Sequence, residues 1–199
     1  MLYVELWGLR VNVYAQIAGF VGMAVLVWSY QLRRKGFFVV NTLAMAIFLL
    51  ESCLLYADAD TFTGIVLNAA AIVRNLLMLF CTVRLRRELP FWAAGLLLVG
   101  VWAACAFRLG AWYTWLPPVL QTIFTLCSLK KNYYLLKAGA LVLEGGNFFY
   151  NLCVGAYIGV LRQVLILCGL AAGIVVHFHR LRAVKKQSHS VSAEEKQIL

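Results

Sequence analysis

Apolar residues run along this chain in long, unbroken stretches separated by short polar ones, at roughly 12–32, 37–57, 62–83, 91–108, 112–128, 133–153 and 157–179. A helix needs about 20 such residues to cross a bilayer. The breaks are chemically abrupt: Arg33-Arg34-Lys35-Gly36, Asp58-Ala59-Asp60, Arg84 through Pro90, Gly110, Lys130-Lys131-Asn132 and Val154-Gly155-Ala156. A transmembrane β-barrel would alternate polar and apolar residues, and Ala44 to Leu50 shows no alternation. The pattern predicts an all-α polytopic membrane protein with seven transmembrane helices.

Composition agrees. Of 199 residues, 63% are hydrophobic and 13% charged, with mean hydropathy +0.83. A soluble domain is about 45–50% apolar and about 25% charged. The net charge of +10 would suggest nucleic acid on a soluble protein. Here the basic residues instead alternate by loop: Arg33, Arg34 and Lys35 after span 1; Arg84, Arg86 and Arg87 after span 3; Lys130 and Lys131 after span 5. Arg180, Arg182, Lys185 and Lys186 follow span 7, while the intervening loops hold Asp58, Asp60 and a lone Arg108. Positive residues stay cytoplasmic, so the expectation is N-out and C-in, with no nucleic-acid partner.

The first span lacks a basic n-region and an Ala-x-Ala site, so it reads as a membrane span and not as a cleaved signal peptide. The polar stretch 187–199 reads as a disordered cytoplasmic end. Trp7, Trp112, Tyr113 and Trp115 fall at the expected outer ends, as an aromatic belt would.

The chain repeats weakly. Lys35-Gly36-Phe37-Phe38 aligns with Lys131-Asn132-Tyr133-Tyr134, and Asp60-Thr61-Phe62-Thr63-Gly64 with Gly155-Ala156-Tyr157-Ile158-Gly159, at separations of 96 and 95 residues. Two like-oriented halves of three spans need one inverting helix between them, the parallel-repeat plan of small transporters. The expected organisation is an outer segment 1–11, a first three-helix repeat 12–83, a loop and linker helix 84–111, a second repeat 112–180 and a cytoplasmic tail 181–199. This is a 3+1+3 arrangement of two parallel three-helix bundles.

The stretch Leu67-Asn68-Ala69-Ala70-Ala71-Ile72-Val73-Arg74-Asn75, just after Thr63-Gly64, resembles the Asn…Ile-Arg-Asn pattern of YgjV-type bacterial inner-membrane proteins, with one extra residue. Leu116-Pro117-Pro118, Phe149-Tyr150-Asn151-Leu152 and Ala156-Tyr157-Ile158-Gly159 are similar in the second half. The resemblance covers roughly 12–180. It implies a relation to SWEET, PQ-loop and PnuC (MtN3-like) transporters and a multi-pass place in a bacterial inner membrane. Tyr30-Gln31 stands where a SWEET-like Pro-Gln pair would be, and tryptophan-rich nicotinamide-riboside motifs are not found.

Once loops and tail are subtracted, Glu51, Arg74, Glu144 and Arg162 remain within spans, with Lys137 near an inner end. An intramembrane ion costs about 2.5–3.5 kcal/mol on insertion scales, so it should face the interior and find a partner. By helical rise, Glu51 lies about 21 Å, Arg74 about 12 Å and Glu144 about 16 Å from the inner face. Glu51 and Arg74 are therefore expected to pair, Arg162 to sit near the outer surface, and Lys137 to snorkel. Glu144, Asn147 and Asn151 share one face of span 6, and Asn68, Asn75, Gln121 and Gln163 add hydrogen-bonding capacity. The expected substrate-binding set is Glu144, Asn147, Asn151, Arg74, Glu51, Asn68, Asn75 and Gln121. A structural role as ion pairs and interhelical bonds is the alternative for each.

Other signals read as structural. Cys53, Cys81, Cys105, Cys127, Cys153 and Cys168 contain no Cys-x-x-Cys pair and read as small buried hydrophobes. His177 and His179 are two apart and diverge on a helix. Gly155-x-x-x-Gly159 and Gly169-x-x-x-Gly173 read as helix contacts, whereas Trp28 and Tyr150 could stack on a planar ligand. No Walker loop, Ser–His–Asp order or zinc-hydrolase motif is present. The expectation is a small secondary or facilitative transporter for a small polar metabolite, not an enzyme and without cofactor or metal. Its partners are the bilayer and that molecule, and homo-oligomerisation is left open. The alternative is a non-transporting receptor, assembly factor or scaffold on the same bundle.

Overall fold

A computed structural model describes residues 3–6, 9–56, 61–107 and 110–198, with side chains for 12–56, 61–107 and 110–177. Seven α-helices follow the seven apolar stretches: α1 (Val13–Ser29), α2 (Arg34–Leu55), α3 (Phe62–Val83), α4 (Phe91–Ala106), α5 (Leu116–Leu129), α6 (Tyr133–Val154) and α7 (Tyr157–Ile198). Asp58, Asp60, Trp7 and Arg108, which entered the charge and belt arguments, lie outside the described residues.

Local chemistry sets the ends. Asn12 caps α1, its side chain accepting from the Ala15 amide at 3.3 Å, while its Nδ2 donates to the Leu54 carbonyl of α2. Asn132 caps α6 by accepting from Tyr134 and Leu135, as N-cap amides do for the unpaired first-turn N–H groups. The α6 helix ends at Gly155, whose φ of 71° is the left-handed C-cap conformation that glycine adopts without strain. The Gly155-x-x-x-Gly159 pair is thus not a packing seam. Gly155 turns the chain, and Gly159 faces the Asn151 side chain at the same corner.

Three details depart from expectation. Tyr3–Leu6 and Leu9–Asn12 form an antiparallel pair, β1 and β2, with Tyr3 opposite Asn12. The four residues Trp112–Trp115 form a 3-10 turn that shortens α5, which opens with Pro117 and Pro118 where a missing N–H costs nothing. The stretch expected to be disordered is helical through Ile198. After Gly173 the chain has no glycine or proline, and Ala183, Lys185, Lys186, Ala193, Glu194, Glu195 and Lys196 are good helix formers, so nothing stops propagation.

Consecutive helices pack as antiparallel neighbours, α1 on α2, α2 on α3, α5 on α6 and α6 on α7. The two halves close on each other through α1 against α7 and α3 against α5, making a ring of six helices, with α4 laid on α3 and α5. Inside the ring the core gathers Tyr30, Phe37, Phe38, Met78, Phe124, Leu136 and Leu170. Small residues allow the close approaches. Gly169 and Gly173 of α7 face Val27 and the Tyr30 carbonyl of α1, as the helix-contact reading of that pair expects.

The outside is apolar. Phe107 is 91% exposed, Phe91 73% and Trp92 69%, which water would not tolerate over so large a contiguous surface. Arg34–Leu55, Phe62–Val83 and Tyr157–His177 are long and apolar enough to cross a membrane, with mean hydropathies of 2.1, 1.8 and 2.1. The chain is a helical membrane protein.

Candidate functional site

Polar side chains line the interior of the ring in three groups. The first centres on Glu144 of α6, which is 4% exposed. The Tyr30 hydroxyl, at the end of α1, donates to one carboxylate oxygen, and Gln163 Nε2 of α7 donates to the other at 2.5 Å. Asn147 follows one turn on along the same helix. Three helices from both halves therefore converge on one carboxylate.

Lys137, two turns earlier on the same face of α6, is buried and does not snorkel. Its Nζ donates to the Tyr30 carbonyl at 2.5 Å and sits 5.1, 5.6 and 5.3 Å from the ring centroids of Tyr30, Phe37 and Tyr133. The cause is the end of α1. Carbonyls of a helix's last turn lack intrahelical donors and carry partial negative charge, so a cation there is stabilised, and the three rings add cation–π attraction.

The second group is Arg74, 1% exposed on α3. Its Nε and Nη2 donate to Asn75 Oδ1 at 3.2 and 3.0 Å. Asn75 Nδ2 in turn donates to Asn41 Oδ1 of α2 at 2.6 Å. The guanidinium lies 4.5 Å over the Phe124 ring of α5, on the seam between the halves.

The third group corrects the expected pairing. Glu51 pairs with Arg162 of α7 at 2.5 Å, not with Arg74. Depth decides it. Glu51 lies four residues before the end of α2 and Arg162 five after the start of α7, so both sit about 6–8 Å from the same end of the bundle. Arg74 is twelve residues into α3 from that end, about 18 Å deep. Gly19 of α1 lies against the pair, and a β-carbon there would collide with both charged groups.

The remaining expected residues are dispersed. Asn68 Nδ2 donates to Ser52 Oγ at 3.3 Å, tying α3 to α2 within the first half. Asn151 stands at the α6–α7 corner, its carbonyl accepting from the Ala156 amide at 2.9 Å. Gln121 is buried on α5, where its backbone carbonyl accepts from Thr125 Oγ1. Trp28 is exposed, and Tyr150 packs near Tyr113 at 6.4 Å. A cleft of about 210 Å³ opens between α6 and α7, with Tyr133, Tyr134, Lys137 and His177 in its wall, away from the seam between the halves.

Tyr30 and Asn41 escaped the sequence reading of the site. Asn41 carries one legible signal, an amide inside an apolar run; Tyr30 enters the sequence only as the residue that stands where a SWEET-like pair has proline. Among the described residues, no three His, Cys, Asp or Glu side chains come together as a metal site. The chain matches no family model, no curated protein and no solved structure.

Proposed function

We propose that the protein is a small secondary or facilitative transporter that carries a small polar metabolite by alternating access around the Glu144 group. The observation that supports this reading is the convergence of α1, α6 and α7 on one buried carboxylate where the two halves meet. A helical membrane protein places a polar interior between halves when something polar must pass. The reading takes all seven helices as spans in a 3+1+3 plan, N-out and C-in by the loop charges. It places the chain in a bacterial inner membrane on its resemblance to YgjV-type proteins. In this account Tyr30 and Gln163 hold the bonds to Glu144 that a substrate would share.

The same mutual satisfaction favours a second reading, a non-transporting receptor, assembly factor or scaffold. Glu144 and Glu51 both have direct partners, as a dry structural interior would. Thermal unfolding of the purified protein against sugars, nucleosides, vitamins and amino acids separates the two. A binder raises the midpoint in proportion to ln(1 + [L]/Kd). A stabilising compound whose effect is lost in Glu144→Gln supports transport, and no hit across the panel supports the scaffold.

A further inference from the structure

Four described side chains, Gln16, Arg34, Arg74 and Arg162, keep a buried polar atom without a hydrogen-bond partner, and Arg74 is the most deeply buried of them. It is 1% exposed, and among the described residues no carboxylate lies within ion-pair distance of it. Arginine does not shed its proton to escape burial, and a buried, unpaired charge is among the costliest arrangements a protein can hold. The side chain is nevertheless fixed in place. Asn75, itself held by Asn41, takes the Nε–Nη2 edge of the guanidinium, and Phe124 covers one face. Nη1 is buried without a hydrogen-bond partner. The end-on edge, formed by one Nη1 proton and the second Nη2 proton, is thus the unused fork, and its geometry matches the two oxygens of a carboxylate.

Charge points the same way. In their ionised forms Arg74 and Lys137 oppose Glu144, and the Glu51–Arg162 pair is neutral, so the described interior carries one surplus positive charge. One carboxylate on the fork would cancel it. Glu144 accepts from Tyr30 and Gln163, and among the described residues it makes no ion pair with Arg74.

We propose that Arg74 is the anchor for a monocarboxylate, held end-on between α3 and α5 against Phe124, and that the transported molecule is a monocarboxylic acid. This rests on the transport reading above. Phe124 is the α5 residue that meets the guanidinium, so a ligand on the fork lies at the seam between α3 and α5.

The test is thermal unfolding of the full chain in detergent with sodium acetate or sodium benzoate, against sodium chloride and methylammonium chloride at equal ionic strength. A saturable rise in midpoint with the carboxylates and none with the controls is expected. Arg74→Gln should weaken the apparent affinity at least tenfold, Arg74→Lys should weaken it too because a single ammonium lacks the fork, and Arg87→Gln in the exposed loop should leave it unchanged. No carboxylate-specific rise in the wild type, or equal affinity in wild type and Arg74→Lys, overturns the proposal, and both results stand if Arg74→Gln does not fold. Uptake of labelled acetate and benzoate into proteoliposomes is read in parallel. Arg74-dependent binding without uptake keeps the carboxylate site and removes the transport reading. Uptake without Arg74-dependent binding keeps transport and removes the site.

Discussion

Gly19 is small because of two residues far away in sequence. A β-carbon at position 19 would meet the Arg162 guanidinium and the Glu51 carboxylate, with the carboxyl carbon at 2.7 Å. Alanine on an exposed helix face gains about 1 kcal/mol over glycine. Here it must either displace the ion pair or push α1 off α2 and α7. Overpacking costs about 1–3 kcal/mol, and breaking a buried pair costs about 3–5 kcal/mol. The pair is well shielded, with side-chain exposures of 17% and 8%, so the net effect of Gly19→Ala should be a loss of about 2 kcal/mol. In a Glu51→Ala/Arg162→Ala background the obstruction is gone, and Gly19→Ala should gain about 1 kcal/mol. The coupling is therefore about 3 kcal/mol. Reversible unfolding in mixed micelles, followed by tryptophan fluorescence, measures all four corners of the cycle. Additivity within about 0.5 kcal/mol, the behaviour of sites that do not touch, would refute the geometry.

Three further outcomes follow from the same packing. A β-carbon on Gly139 of α6 would come 2.6 Å from the Cys127 β-carbon of α5, so Gly139→Ala should cost about 1–3 kcal/mol, and Cys127→Gly should recover part of it in the same unfolding assay. Lys137→Met should destabilise by about 1–3 kcal/mol, because it leaves the Tyr30 carbonyl buried without its charged donor; if the midpoint is unchanged, the capping role is wrong. Tyr30→Phe removes one donor from Glu144 and should cost about 1–3 kcal/mol, with much less lost when Glu144→Gln is already present.

The helices were legible because hydropathy and loop chemistry act locally. Arg33 to Gly36 and Lys130 to Asn132 mark α2 and α6 to within a few residues. Which buried charges meet was not legible, since pairing depends on the order in which helices surround one another. Rise per residue puts Glu51 and Arg74 within an arginine's reach, yet the ring brings α7 against α1, where Arg162 lies at the depth of Glu51 and meets it beside Gly19. Lys137 is buried for a similar reason. From sequence it is a lysine near a helix end, and only the neighbouring terminus of α1 gives it a carbonyl to cap. The β1–β2 pair is carried by two short runs on either side of Trp7-Gly8, a weaker pattern than the apolar run of α1.

The central claim is that the polar interior between the halves passes a small molecule. Uptake of a radiolabelled metabolite panel, monocarboxylates included, into proteoliposomes tests it most directly. The account predicts saturable uptake of at least one compound, reduced at least tenfold by Glu144→Gln in protein that unfolds as the wild type does. Absence of uptake for every compound, by wild-type protein with native unfolding behaviour, would contradict it.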